Sequence, residues 1–421
     1  MRYITATISV IAIAASLVGG CDSRQGADTQ PAREDAQGPA VSRFPFAAPV
    51  FDVLIDDING DGRPDLAFTS HNANFTQVYQ QTADRRFDDG HRVDSVGFHP
   101  GELRRLPLAG ESLYLMSAEG ANRLQVYAPA PDGGLTQLSE TKLPAPRATT
   151  AFHWPDWGLG LAVAPFRGGR LILVKGFDAR TGRYTEAMEL RVRPRFQVVK
   201  AITSADIDAD GTPELLFANN FRSDIAVIRA PAAGTQPTID NLWHSEHGGR
   251  AELVVPVDID QDGDIDLLAP DATEKAGLGR TSINVLLNDG HGQFAMTEIP
   301  FPMRPALSGG IAGIVTLDAE RDHDGNHYIL ASGYESTVLI RVPPRWSANA
   351  ALDYLILPRE QTGPIAKALL HDMDGDGWLD AIIGYARDVD SALVLYGPLW
   401  GALEQLGATH DTIATLPSDH R

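Results

Sequence analysis

The sequence has one cysteine in 421 residues, Cys21, so no disulfide can form within the chain. It also lacks an excess of positive charge: 35 Lys and Arg stand against 55 Asp and Glu, a net charge of −20. Phosphate binding needs basic patches, so this balance argues against a nucleic-acid partner and disfavours adhesion to an anionic membrane surface. Catalytic signatures are missing too. There is no G-x-S-x-G, no H-E-x-x-H and no phosphate-cradling G-x-x-x-x-G-K. Long helical patterns are absent. Apolar residues still make up 43% of the chain, enough for a sizeable core.

What is there begins with "MRYITATISVIAIAASLVGGC". A positive Arg2, an apolar stretch and small residues before Cys21 have the grammar of a signal peptide over residues 1–20. The apolar stretch is shorter than a spanning helix needs. "LVGGC" resembles a bacterial lipobox, which implies cleavage before Cys21 and lipidation of that cysteine, and leaves it no other chemistry. Residues 21–42 then form a polar, Pro- and Gly-containing tether with no periodicity. The expected location is the bacterial cell envelope, anchored in the outer or inner membrane through the Cys21 lipid alone. The chain after the tether would lie in the periplasm or at the cell surface. Asp22 resembles an inner-membrane retention signal that holds in enterobacteria.

Acidic stretches recur downstream. "DDINGDGRPDLAFTS" crowds like charges just before a buried strand, which needs a physical reason. Aligned on their glycines, four loops share one pattern. They are Asp57, Asn59, Asp61, Arg63 and Asp65; Asp206, Asp208, Asp210, Thr212 and Glu214; Asp258, Asp260, Asp262, Asp264 and Asp266; and Asp372, Asp374, Asp376, Trp378 and Asp380. Oxygen donors occupy positions 1, 3, 5 and 9, with glycine at 6. Position 7 varies freely, as expected if its backbone carbonyl is the ligand. Such carboxylates repel one another unless a cation joins them. Hard oxygen donors around a glycine turn describe a Ca²⁺ site. An EF-hand would need Glu at position 12 and flanking helices. Position 12 here is Phe68, Phe217, Ala269 or Ile383, and the flanks read as strands. A fifth, degenerate loop (Glu320, Asp322, Asp324, Gly325, Asn326) has Tyr328 at position 9.

Position 1 recurs at steps close to multiples of about 50 residues, the mark of a repeat architecture. "EGANRLQVY" mirrors "HNANFTQVY" and marks a repeat without an acidic loop. Seven units begin near residues 47, 98, 146, 198, 249, 306 and 361, each with three or four short strands. The expected fold is an all-β, seven-bladed β-propeller over residues 43–421, with six or eight blades as the alternatives. The loops together with "NVLLNDGHGQF" resemble FG-GAP/VCBS repeats, found in integrin α-subunit propellers and bacterial surface proteins. The resemblance spans nearly all of residues 45–420. It implies a propeller and assigns the matching loop positions to Ca²⁺.

Calcium loops join first to second strands, so the loops after the second strands lie on the opposite face. Asn72, Asn74, Phe75, Arg167, Phe221, Arg222, Tyr334 and Tyr385 are the candidate rim there for a protein or glycan partner. The bland alternative is that these loops are polar because they are wet. "HWPDWG" at residues 153–158 replaces the third acidic loop, as a stacking pocket or as packing. "WHSEH" at residues 243–247 has two histidines three apart, too few for zinc. The expected role is a non-enzymatic binding, adhesion or assembly scaffold. The alternative is a carbohydrate-active envelope enzyme of the lyase or dehydratase type, which would need Arg, His and acidic groups converging near the axis.

Overall fold

The computed structural model describes residues 39–421 except 95, 167–168, 193–198, 220–223, 245–252, 273–280, 302–313, 334–336, 348–349, 358–364, 387–391 and 418–421. The expected signal peptide, Cys21 and most of the tether lie outside the described residues, as do Arg167, Phe221, Arg222 and Tyr334 of the expected rim.

Seven antiparallel sheets follow one another along the chain. Their first strands are Asp52–Asp56, Pro100–Arg105, Pro146–Trp154, Val199–Ala205, Val255–Val257, Ile314–Arg321 and Ile365–His371. We number the blades 1 to 7 in that order. All seven first strands line one cavity of about 630 Å³. This is a seven-bladed β-propeller with its first strands around the axis. The second strands are the most buried, as Asp65–Ser70 and His327–Gly333 show along their whole length. Each is covered on both faces by neighbouring blades, so it reads as a continuous apolar run rather than an alternating one.

Chain closure uses both ends. Val41–Phe44 pairs antiparallel with Ala392–Leu395 and supplies the outer strand of blade 7. This strand reaches into the stretch read as tether. At the other end, Thr409–Ala414 adds a fifth strand to blade 6 and Leu416–Pro417 one to blade 5. A helix of about two turns, Leu399–Gln405, packs Leu399 and Leu403 into the core shared by blades 6 and 7.

The innermost strand of a blade has a free edge, and buried N–H groups there need acceptors. Side chains of the preceding blade provide them. Asp52 accepts from Leu103 N at 3.1 Å, and Glu102 from Thr149 N at 3.2 Å. Thr316 Oγ1 accepts from Ala368 N at 3.1 Å, and Asp318 from Leu370 N at 2.8 Å. The polar residues facing the axis therefore stitch blade to blade around the ring.

Candidate functional site

The four acidic loops connect first to second strands in blades 1, 4, 5 and 7. Their backbone explains their composition. Position 6 has φ of +87° at Gly62, +85° at Gly211, +102° at Gly263 and +88° at Gly377. Position 4 is also left-handed, including Ala209 (+56°) and Gln261 (+62°), which have no glycine's freedom. Non-glycine residues held this way cost on the order of 1–3 kcal/mol and persist where the surroundings over-determine them.

Each position has one job. The position 1 carboxylate collects the amides of the turn: Asp57 accepts from Gly60, Asp61 and Gly62, and Asp372 from Gly375, Asp376 and Gly377. The position 5 carboxylate accepts from the N–H of position 7 in all four loops, at 2.7–3.0 Å. Position 9 is buried and accepts from the N–H of position 2: Asp65 from Ile58, Glu214 from Ile207, Asp266 from Ile259 and Asp380 from Met373. In blades 1, 5 and 7 its other oxygen accepts from Gln81, Asn288 or Gly397. Two side-chain amides also tie blades together. Gln81 Nε2 donates to the Met373 carbonyl of blade 7, and Asn288 Nδ2 to the Ile207 carbonyl of blade 4.

Three carboxylates converge, with ligand atoms within 4.8 Å of one another, at Asp206, Asp208 and Asp210; at Asp258, Asp260 and Asp262; and at Asp372, Asp374 and Asp380. Blade 1 differs. Its position 3 is Asn59, which donates to Asp61, and the Arg63 guanidinium lies on the same carboxylate. The Arg63 side chain thus supplies positive charge where only its carbonyl was expected to matter. In blade 7, Arg85 from blade 1 reaches Asp374 and, at 3.4 Å, Asp376. The degenerate loop of blade 6 is a tight turn: Asp322 accepts from Asn326 N at 2.9 Å, and Tyr328 joins the core.

A cation fits the loops of blades 4 and 5 on a specific count. Asp208 Oδ1 and Asp260 Oδ1 are buried and have no hydrogen-bond partner. Buried acceptors are expected to be satisfied, and the donors around these two are all oxygens, the set Ca²⁺ takes. Burial, reinforced by neighbouring carboxylates, pushes Glu214, Asp266 and Asp380 up to about 7. Burial likewise lifts Asp65 to about 6, against its backbone hydrogen bonds. These raised values set a sign. Without an ion, protons bind the folded state more tightly, so stability is greatest below the unfolded carboxyl pKa of about 4 and falls as pH rises toward 7. In blade 7, where Asp380 is itself one of the converging carboxylates, a metal must displace its proton. Calcium affinity of that loop is therefore expected to strengthen about tenfold between pH 6 and pH 8, with proton release measurable by calorimetry in paired buffers. An affinity flat across that range would overturn this reading.

On the opposite face, Asn72 lines the axial cavity, and Asn74 Oδ1 accepts from His99 N at 2.9 Å. Phe75 and Tyr385 are buried, at 2% and 1% exposure, in the cores of blades 1 and 7. They stand at strand ends facing the sheet interior rather than on a rim. Trp154 and Trp157 of "HWPDWG" are packing, in one cluster with Phe152. Trp154 Nε1 donates to the Pro213 carbonyl, joining blade 3 to the acidic loop of blade 4. His244 pairs with Asp224, and His247 lies outside the described residues.

The axial cavity holds a charged network that the loop pattern did not foretell. Arg104 bridges Asp52 at 2.8 Å and Glu102 at 3.0 Å, and Lys367 reaches Asp52 at 3.4 Å. Burial raises Asp52, but Arg104 and Lys367 outweigh it and hold its carboxyl below the usual range. Burial pushes Glu102 and Asp318 up.

A match to one protein family agrees with this architecture. Residues 206–269, which carry the acidic loops of blades 4 and 5, match the FG-GAP-like repeat. No curated protein matches the chain. A crystal structure of a protein from Lactobacillus plantarum is similar at 15% identity and a TM-score of 0.43, over 59% of this chain and 70% of that one.

Proposed function

We propose that this chain, a seven-bladed β-propeller of FG-GAP-like repeats, is a calcium-stiffened, lipid-anchored envelope scaffold that binds a protein or glycan partner. The observation that carries the reading is the pair of orphaned buried oxygens, Asp208 Oδ1 and Asp260 Oδ1, inside three-carboxylate clusters. Calcium would be held by positions 1, 3 and 5 in blades 4 and 5, and by Asp372, Asp374 and Asp380 in blade 7. There it would supply the counter-charge that lets the loop fold. Those loops spend their side chains on themselves and on the ion, so the opposite face is left for a partner. Phe98, 54% exposed, stands on that face with its ring 4.1 Å from that of His99. Glycan-array and pull-down screens of the full chain, with calcium and with chelator, test the role. Asn72→Ala with Phe98→Ala is expected to abolish capture while leaving calcium-dependent melting unchanged. Normal capture by that pair would place the working surface elsewhere.

The anchor is tested separately. Cys21→Ser is expected to move the protein from the detergent phase to the soluble fraction. Membrane attachment unchanged in that variant would sink the lipoprotein reading.

A second reading, a carbohydrate-active enzyme, is favoured by one observation: Arg104, Arg147, His71, Glu102 and Asp318 converge on the axial cavity. Most of that charge is already engaged in joining blades, which weighs toward the scaffold. Depolymerisation of an acidic polysaccharide by the purified chain, lost in Glu102→Gln, would reverse the ranking.

A further inference from the structure

We propose that His71, His99 and Glu119 form a site for one late first-row divalent metal ion, of which Zn²⁺ is the natural occupant, on the face opposite the acidic loops. Their ligand atoms lie within 4.8 Å of one another, and none belongs to a calcium loop. His71 is in the loop after the second strand of blade 1, and Glu119 in the corresponding loop of blade 2. His99 sits in the connection between those blades. Two imidazoles and a carboxylate are a borderline-soft set that suits zinc and its neighbours, and suits calcium poorly.

The three side chains are held in place before any ion arrives. His71 Nδ1 lies 3.0 Å from the Pro100 carbonyl, which can only accept. Nδ1 therefore carries the proton, and Nε2 keeps its lone pair. A backbone carbonyl on the other ring nitrogen is the usual orienting partner of a metal-bound histidine. Phe51 stacks on the same ring at 4.8 Å and 23°. His99 has φ of +53°, a strained setting for a non-glycine residue. That setting is enforced at both ends: His99 N donates to Asn74 Oδ1 at 2.9 Å, and its carbonyl accepts from Glu119 N at 3.0 Å. The last bond fixes the second and third ligands to each other. Arg147 approaches Glu119 Oε2 at 3.4 Å, one of two carboxylate oxygens. Three protein ligands leave a coordination position open, as in metal sites that bind an exogenous group. His71 also forms part of the wall of the axial cavity.

The test uses the full chain in detergent micelles, stripped of metal and then saturated with calcium to fill the acidic loops. Titration with Co²⁺ is expected to give one equivalent with the visible absorption of a low-coordinate, nitrogen-ligated ion, and Zn²⁺ to bleach it. His99→Asn keeps a side chain that tolerates the left-handed backbone. It is expected to weaken Zn²⁺ at least about tenfold, as is Glu119→Gln, with calcium-dependent melting unchanged in both. If His99→Asn does not fold, Glu119→Gln decides. No visible band in excess calcium, or an affinity unchanged in a folded Glu119→Gln, overturns the proposal.

Discussion

Phe44→Ala is expected to destabilise the propeller by about 3–5 kcal/mol, the range for removing a large aromatic from a packed core. Phe44 is 2% exposed and lies on the strand that closes the ring. Its ring meets Phe68 at 5.4 Å, Tyr79 at 4.9 Å and Phe87 at 5.0 Å, all from blade 1. One side chain thus joins the outer strand of blade 7 to the core of blade 1. Thermal melting and limited proteolysis of the variant should show early cleavage at the junction of those blades. Arg43→Ala on the same strand points outward, and its melting temperature is expected to stay within about 1 °C of the parent, the usual outcome for surface substitutions. Equal losses from the two would mean that strand pairing, and not the aromatic contact, closes the ring.

Removing calcium is the second large effect. An ion bound only by the folded state stabilises it by RT ln(1 + [L]/Kd). At free calcium ten times Kd, each loop then contributes on the order of 1.4 kcal/mol, and three loops on the order of 4 kcal/mol. Modules of this kind bind in the range of about 10⁻⁴–10⁻³ M, so millimolar calcium should raise the melting temperature and a chelator should lower it. Asp260→Ala gives the sharper test because its destabilising effect should vanish or reverse when calcium is removed. In calcium the variant loses a ligand and melts lower. In chelator it loses a buried carboxylate whose Oδ1 has no partner, next to Asp258 and Asp262, and melts at the same temperature or higher. A loss of equal size in both solutions would mean that Asp260 is structural and the loops fold without an ion.

The acidic loops and the blade period were legible because both are local. Glycine at position 6 and oxygens at positions 1, 3, 5 and 9 lie within nine residues, and seven strand groups follow a step near 50. What position 9 does was half legible. The pattern marks it as an oxygen donor, yet its backbone bonds to position 2 appear only once the turn is closed. Arg63 shows the limit at a variable position. Its carbonyl was the expected ligand, whereas its side chain neutralises Asp61. Phe75 and Tyr385 lie in the core and not on the expected rim for a related reason: an aromatic at the border of loop and strand can face solvent or core, and a one-residue shift in register reverses the two. The His71, His99 and Glu119 cluster left a faint signal. "HNANFTQVY" and "EGANRLQVY" place His71 and Glu119 at equivalent positions of successive repeats. Only the radial arrangement turns equivalent positions into neighbours. The closing strand left none, since Val41 and its partner Leu395 stand at opposite ends of the chain.

The position of that closing strand has a mechanical consequence. Any tension entering the propeller through the chain before residue 39 is received first by Val41–Phe44, the outermost strand of blade 7. Val41 lies opposite Leu395, and Phe44 opposite Ala392. Detaching this strand under load would pull Phe44 from its aromatic neighbours and separate the two blades where the circle begins and ends. The same junction is crossed farther in by Gln81 on the Met373 carbonyl and by Arg85 on Asp374. An ion in the blade 7 loop would stiffen the segment those contacts grip. The free calcium concentration around the propeller would then set how much pull the ring withstands before it opens.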